Sequence, residues 1–342
     1  MPISNIKKNL ELARNRLLEL DKEDSIIEES TITESTTTES TMIENIITEE
    51  SRKIVIFRDI FLERYRKFHE EGELKRSNIY VRLVKGEIIA YEMPSSVHGY
   101  VVAELIFLLR GWSNQLNVIS KLDITIGNNS EYCTDIAAEP KQILPFAPEY
   151  IAQPTIIIEV AKSESLSSLN DLTADYFSAS VQTNFTQVYL AIKLFSRRQD
   201  STVAMLAILY LHNNQIPNLA LTAPNLPLNI PPMIAIANTR PNTAISFGTA
   251  PLNYQQVAFI NNTDIRNDRL TGFVQKNDIA CTQAGMSNYQ ITIPANLLFP
   301  GSVPISVPNN FVIDLWDIQQ NALYYLVFTY AFAYNFFKSH IK

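Results

Sequence analysis

Tyr132-Cys-Thr-Asp-Ile-Ala-Ala138 and Gln153-Pro-Thr-Ile-Ile-Ile-Glu-Val-Ala-Lys162 are the two segments on which the reading of this chain turns. Each is a short apolar run with one carboxylate inside it, Asp135 in the first and Glu159 in the second, and a proline-containing loop joins them. Desolvating a carboxylate among Ile and Ala is costly unless it is paired or holds a cation. Thr155 to Ala161 is bounded by a proline and reads as a buried central strand, with Cys133 to Ala137 as another strand.

Working outward, Ser165 to Phe177 reads as a helix with Leu166, Leu169, Leu172 and Tyr176 inward, followed by strands at Gln187 to Phe195 and Val203 to Leu211. Upstream, Asn78 to Val84 and Glu87 to Tyr91 form a hairpin across Lys85-Gly86. Ser95 or Ser96 caps a helix from Val97 to Trp112, with Glu104 at the edge of its apolar stripe. Lys121 to Ile126 alternates as a strand, and Ile54 to His69 shows helical spacing. The order predicts an α/β (α+β) domain whose mixed β-sheet core is flanked by helices. Residues 1–20 read as a short helix, 21–51 as a disordered Ser/Thr/Glu-rich segment, and 52–212 as the core. Residues 213–320 form a β-rich C-terminal extension packed on that core. In it, 213–232 reads as a surface loop, 254–300 as irregular, and the segments from Ile291 and from Val312 as late strands.

Net charge is −7, and residues 1–51 carry all of it, with 5 Lys/Arg against 12 Asp/Glu. The remainder is neutral, so no overall basic signature for nucleic acid is present, although a local basic groove is compatible with it. Lys193, Arg197 and Arg198 form a small basic cluster. Cys133 and Cys281 fit neither a disulfide framework nor a zinc site, and reduced thiols without an N-terminal apolar signal suggest an intracellular protein, cytoplasmic or nuclear. Nine glycines supply no Walker or dinucleotide loop. The apolar tail, 321–342, holds a run from Leu323 to Phe337 that would span about 22 Å as a helix, short of a ~30 Å bilayer core. Packing onto the domain is expected there, and a membrane span is not.

Three segments in this order resemble a known family. Tyr80-Val-Arg-Leu-Val-Lys-Gly-Glu-Ile-Ile-Ala-Tyr-Glu-Met-Pro-Ser-Ser-Val-His-Gly99 resembles the opening of the Uma-two family of restriction endonucleases, within the PD-(D/E)XK nuclease superfamily. Thr134-Asp135-Ile136-Ala137 resembles its Pro-Asp strand, and Pro154 to Ser165 its following Glu-Val strand. The resemblance implies a restriction-endonuclease-like fold and a metal-dependent endonuclease that hydrolyses phosphodiester bonds of nucleic acid, foremost DNA. A homodimer is a candidate assembly.

On that resemblance Asp135 and Glu159 would hold Mg²⁺ or Mn²⁺, hard cations that take oxygen ligands, and the backbone carbonyl of Val160 could complete the set. Glu87 and Glu104 are additional candidates. The superfamily's Glu-x-Lys places lysine two residues after the glutamate, on the same strand face. Here that position is Ala161, so Lys162 and Lys193 are the candidate catalytic lysines. His98 reads as a helix-start residue, with general base as the alternative. Because the expected lysine is displaced, the alternative function is a catalytically degenerate member that binds nucleic acid or protein.

Overall fold

The computed structural model describes residues 8–19, 54–70, 78–127, 129–141, 151–178, 180, 182–218, 235–262 and 270–325. The expected disorder of 21–51 and the tail beyond 325 lie outside the described residues. Helix α1 (8–19) comes first, then strand β1 (Ile54–Phe57) and helix α2 (Leu62–Glu70). The sequence predicts one helix across 54–69. Asp59, at φ 56°, breaks it, because a left-handed residue ends regular backbone. The hairpin follows as β2 (Tyr80–Val84) and β3 (Glu87–Glu92), joined by Lys85 at φ 49° and Gly86 at φ 85°. Two positive φ values are what a two-residue type I′ turn requires.

Helix α3 (Ser96–Trp112) starts on Ser95, whose side chain accepts from the His98 N–H. Strands β4 (Leu116–Ser120), β5 (Asp123–Thr125), β6 (Glu131–Cys133), β7 (Ile136–Pro140) and β8 (Ile156–Ala161) follow, then helix α4 (Leu166–Tyr176) and strands β9 (Val188–Leu194) and β10 (Ala204–Leu211). β4 is missing from the sequence reading because Leu-Asn-Val-Ile-Ser merges with the end of α3's pattern. The extension holds β11 (Ile216–Asn218), β12 (Ala235–Asn238), β13 (Pro241–Gly248), helix α5 (Tyr254–Asn262), β14 (Leu270–Gly272), β15 (Gln290–Pro294), helix α6 (Ala295–Leu298), β16 (Asn310–Asp314) and helix α7 (315–325). α5 corrects the irregular reading of that stretch; its Gln and Asn content hid the helix. The pair β15–β16 agrees with the late strands expected there.

A seven-stranded sheet in the order β14-β13-β10-β9-β8-β7-β4 forms the centre, and only β8–β9 and β13–β14 are parallel. The architecture is the mixed α/β core with a β-rich extension that the sequence predicts. Its central strands β8, β9 and β10 are buried nearly throughout, which explains their continuous apolar sequences. α3 packs on one face together with the β15–β16 hairpin and α7, and α4 covers the other. A second, five-stranded antiparallel sheet, β1-β3-β2-β6-β5, carries α1 and α2 on its own core. The chain crosses between the sheets twice in close succession, from β4 to β5 through Lys121 and from β6 to β7 through Asp135. The two crossings are stitched together: Thr134 N–H donates to Leu122 O at 2.9 Å and Lys121 N–H to Asp135 O at 3.3 Å.

Candidate active site

The two carboxylates singled out in the sequence meet where the sheets join. β7 and β8 pair antiparallel with Ile136 opposite Ile158, so the next pair outward is Asp135 and Glu159. Asp135 N–H donates to Glu159 Oε2 at 3.3 Å. Both residues are 4% exposed, and buried carboxylates need partners.

Each oxygen of the pair has one. Asp135 Oδ2 accepts from His98 Nε2 at 3.0 Å and from Val160 N–H at 2.9 Å. Asp135 Oδ1 accepts from Lys121 Nζ at 2.5 Å. Glu159 Oε1 accepts from the Tyr176 hydroxyl on α4. The two carboxyls therefore differ in acidity. Burial pushes Asp135 up, but the hydrogen bond from His98 and the Lys121 ammonium outweigh it and bring the group down to about 2. Burial and then the Asp135 charge drive Glu159 well above the usual carboxylate range. The two carboxyls therefore titrate as a pair in which Glu159 is the weaker acid.

The turn after β8 is pinned from both sides. The carboxylate of Glu92, 1% exposed at the end of β3, accepts from the N–H groups of Lys162 at 2.8 Å, Ser163 at 2.8 Å and Glu164 at 3.0 Å. The Lys193 ammonium donates to the carbonyls of Lys162 and Glu164. Glu164 in turn is ion-paired to buried Arg82 at 2.8 Å, whose guanidinium lies 3.6 Å over the Tyr91 ring. Burial works against the Arg82 charge, but Glu164 more than restores it and raises the group well above its ordinary value.

The candidate residues thus separate. Asp135 and Glu159 come together; Lys193 holds main-chain carbonyls, and Lys162 contributes its backbone N–H to Glu92. Glu87 is at the other end of β3 from Glu92, about 17 Å along a strand, and pairs with Arg58 at 2.7 Å. Glu104 lies on α3 six residues beyond His98, and burial together with Asp317 raises its carboxyl. The ammonium that reaches Asp135 is Lys121's. Sequence reading took Lys121 only as the start of a strand, and no spacing rule links it to Asp135. Arg82 did leave a signal: it is the one charge within the apolar strand β2. Among the described residues no cluster of three or more His, Cys, Asp or Glu is arranged to hold a metal ion.

Residues 62–229 match the model of the Uma2 family, described as "putative restriction endonuclease". Through this stretch the chain is similar to the Uma2 family. The matched stretch contains both sheet crossings and every residue of the Asp135–Glu159 site. Among solved structures, the chain is similar to one titled a putative nuclease belonging to DUF820 from Anabaena variabilis, at 15% identity, over 41% of this chain and 82% of that one, with a TM-score of 0.25. No curated protein matches the chain. No described helix is long and apolar enough to cross a membrane.

Proposed function

We propose that this protein is a metal-dependent phosphodiesterase acting on nucleic acid, foremost DNA, with its chemistry at Asp135 and Glu159. One observation carries the reading: two buried carboxylates meet on adjacent strands, and the Lys121 ammonium lies 2.5 Å from one of them. Perturbed titratable pairs of this kind mark functional sites.

The residues fit a hard divalent cation in donor type. Mg²⁺ uses one or two carboxylates and fills its shell with water and substrate phosphate, so Asp135 and Glu159 suffice. The Lys121 ammonium already stands as a cation on Asp135 Oδ1, and its side chain is 39% exposed, which leaves it able to yield that position. A bound ion would supply Lewis-acid polarisation of the phosphate and a more acidic attacking water. The chain's own residues do the rest. His98 and the Val160 N–H fix the Asp135 carboxylate. Tyr176 orients Glu159, whose carboxyl would give up its proton on taking a cation. The Glu92-bound turn keeps the end of β8 in place.

Plasmid and single-stranded substrates incubated with Mg²⁺ or Mn²⁺ test this. Cleavage by the wild type and its loss in Glu159→Ala is the expected result. Absence of cleavage by the wild type, or equal cleavage by both proteins, refutes it. The second reading is a degenerate binding module, favoured by Ala161 in the lysine position of the family pattern. It predicts nucleic-acid binding by both proteins with cleavage by neither.

A further inference from the structure

The carboxylate pair has no lysine on the strand of Glu159, yet an ammonium is present, and it comes from elsewhere in the chain. Lys121 lies at the corner between β4 and β5, where the chain leaves one sheet for the other. Its backbone is left-handed, at φ 56°, a conformation that costs a non-glycine residue energy and persists where the surroundings enforce it. Two hydrogen bonds enforce it here, both to Asp135: the Lys121 N–H to the main-chain carbonyl and Nζ to Oδ1. The Tyr80 ring supports the ammonium from the side, 4.1 Å from Nζ to the ring centroid, as a cation–π contact does. The side chain remains 39% exposed, whereas those of Asp135 and His98 are 6% and 3% exposed. Lys121 is therefore the point at which the buried pair meets solvent and any substrate.

We propose that Lys121 is the catalytic lysine of this site, supplied from the corner between the two sheets rather than from the strand of Glu159, and that it rests on Asp135 Oδ1 until a divalent ion takes that oxygen. The inference rests on the phosphodiesterase reading above. Released from Asp135, the ammonium faces outward, where it stabilises charge growing on the scissile phosphate. The same residue thus competes with the metal ion in the resting protein and assists it once substrate is bound.

These two roles predict opposite changes in one variant. In Lys121→Met the competing cation is gone, so Mn²⁺ measured by calorimetry without substrate binds about threefold to fivefold tighter, the scale of one partly exposed ion pair. Cleavage of plasmid by the same protein falls about 10²–10³-fold, the scale of losing one electrostatic stabiliser of the transition state. Lys121→Gln, read the same way, covers failure of the Met variant to fold. Mn²⁺ affinity unchanged or weakened in the variants, or cleavage at the wild-type rate, overturns the assignment of Lys121 and leaves the phosphodiesterase reading standing. A wild type that binds no Mn²⁺, or that binds it as well after Glu159→Ala, overturns both.

Discussion

Removing the Glu92 carboxylate tests whether the turn after β8 is held as described. Three consecutive N–H groups, from Lys162 to Glu164, converge on a side chain that is 1% exposed. Each is a hydrogen bond to a charged acceptor, of about 1.5–3 kcal/mol, and each donor left buried without a partner costs about 1–3 kcal/mol. Glu92→Ala orphans all three, and water entering the vacated space restores part of the loss, so a net destabilisation of about 3–5 kcal/mol is expected. Glu92→Gln keeps one acceptor oxygen and should cost about 1–3 kcal/mol. That is a large share of the ~5–15 kcal/mol by which domains are stable. Urea unfolding of the two variants beside the wild type measures both. A Glu92→Ala cost under about 1 kcal/mol, or a Gln variant as unstable as the Ala variant, would show that the turn does not depend on this carboxylate.

Glu159 gives a pH-dependent prediction. Its folded value lies above the unfolded one, so its stabilising contribution is complete below the unfolded value and is lost as pH rises through the folded value. Glu159→Gln, fixed in the neutral form, should therefore melt higher than wild type at pH 8, with the difference disappearing near pH 4; a difference constant across that range contradicts the assignment. Arg82→Met should destabilise by about 3–5 kcal/mol because it strands the Glu164 charge. Adding Glu164→Gln should recover part of that loss in the same thermal melts, and strict additivity of the two losses would contradict the pairing.

The central strands were readable because burial on both faces leaves them almost purely apolar, as in Ile156 to Ala161 and Ala204 to Leu211. The carboxylate pair was readable for the complementary reason: charge inside such runs has few explanations. Its partners were less so. Tyr176 was assigned to the core by helical spacing, and its hydroxyl's contact with Glu159 depends on how α4 lies across the sheet. Lys193 sits on the same face as Glu159, since Ala161 pairs with Lys193 in the parallel register, but its flexible stem reaches the turn's carbonyls. Lys121 was invisible because two chain crossings, fourteen residues apart, bring it to Asp135, and one-dimensional periodicity carries no information on where crossings meet. β1 and α5 were missed for local reasons: Ile54 to Phe57 continues the spacing of the helix after it, and Tyr254 to Asn262 has the composition of a loop.

The two stitched crossings have a consequence for how this molecule can change. Lys121 and Asp135 both lie where the chain passes between the sheets, so the ion pair they form sits at the junction of the two cores. A small rotation of the five-stranded sheet against the seven-stranded one would alter the Lys121–Asp135 separation directly, without any change at β8. The packing of α1 and α2 on the five-stranded sheet is thereby linked, through that sheet, to the position of the lysine.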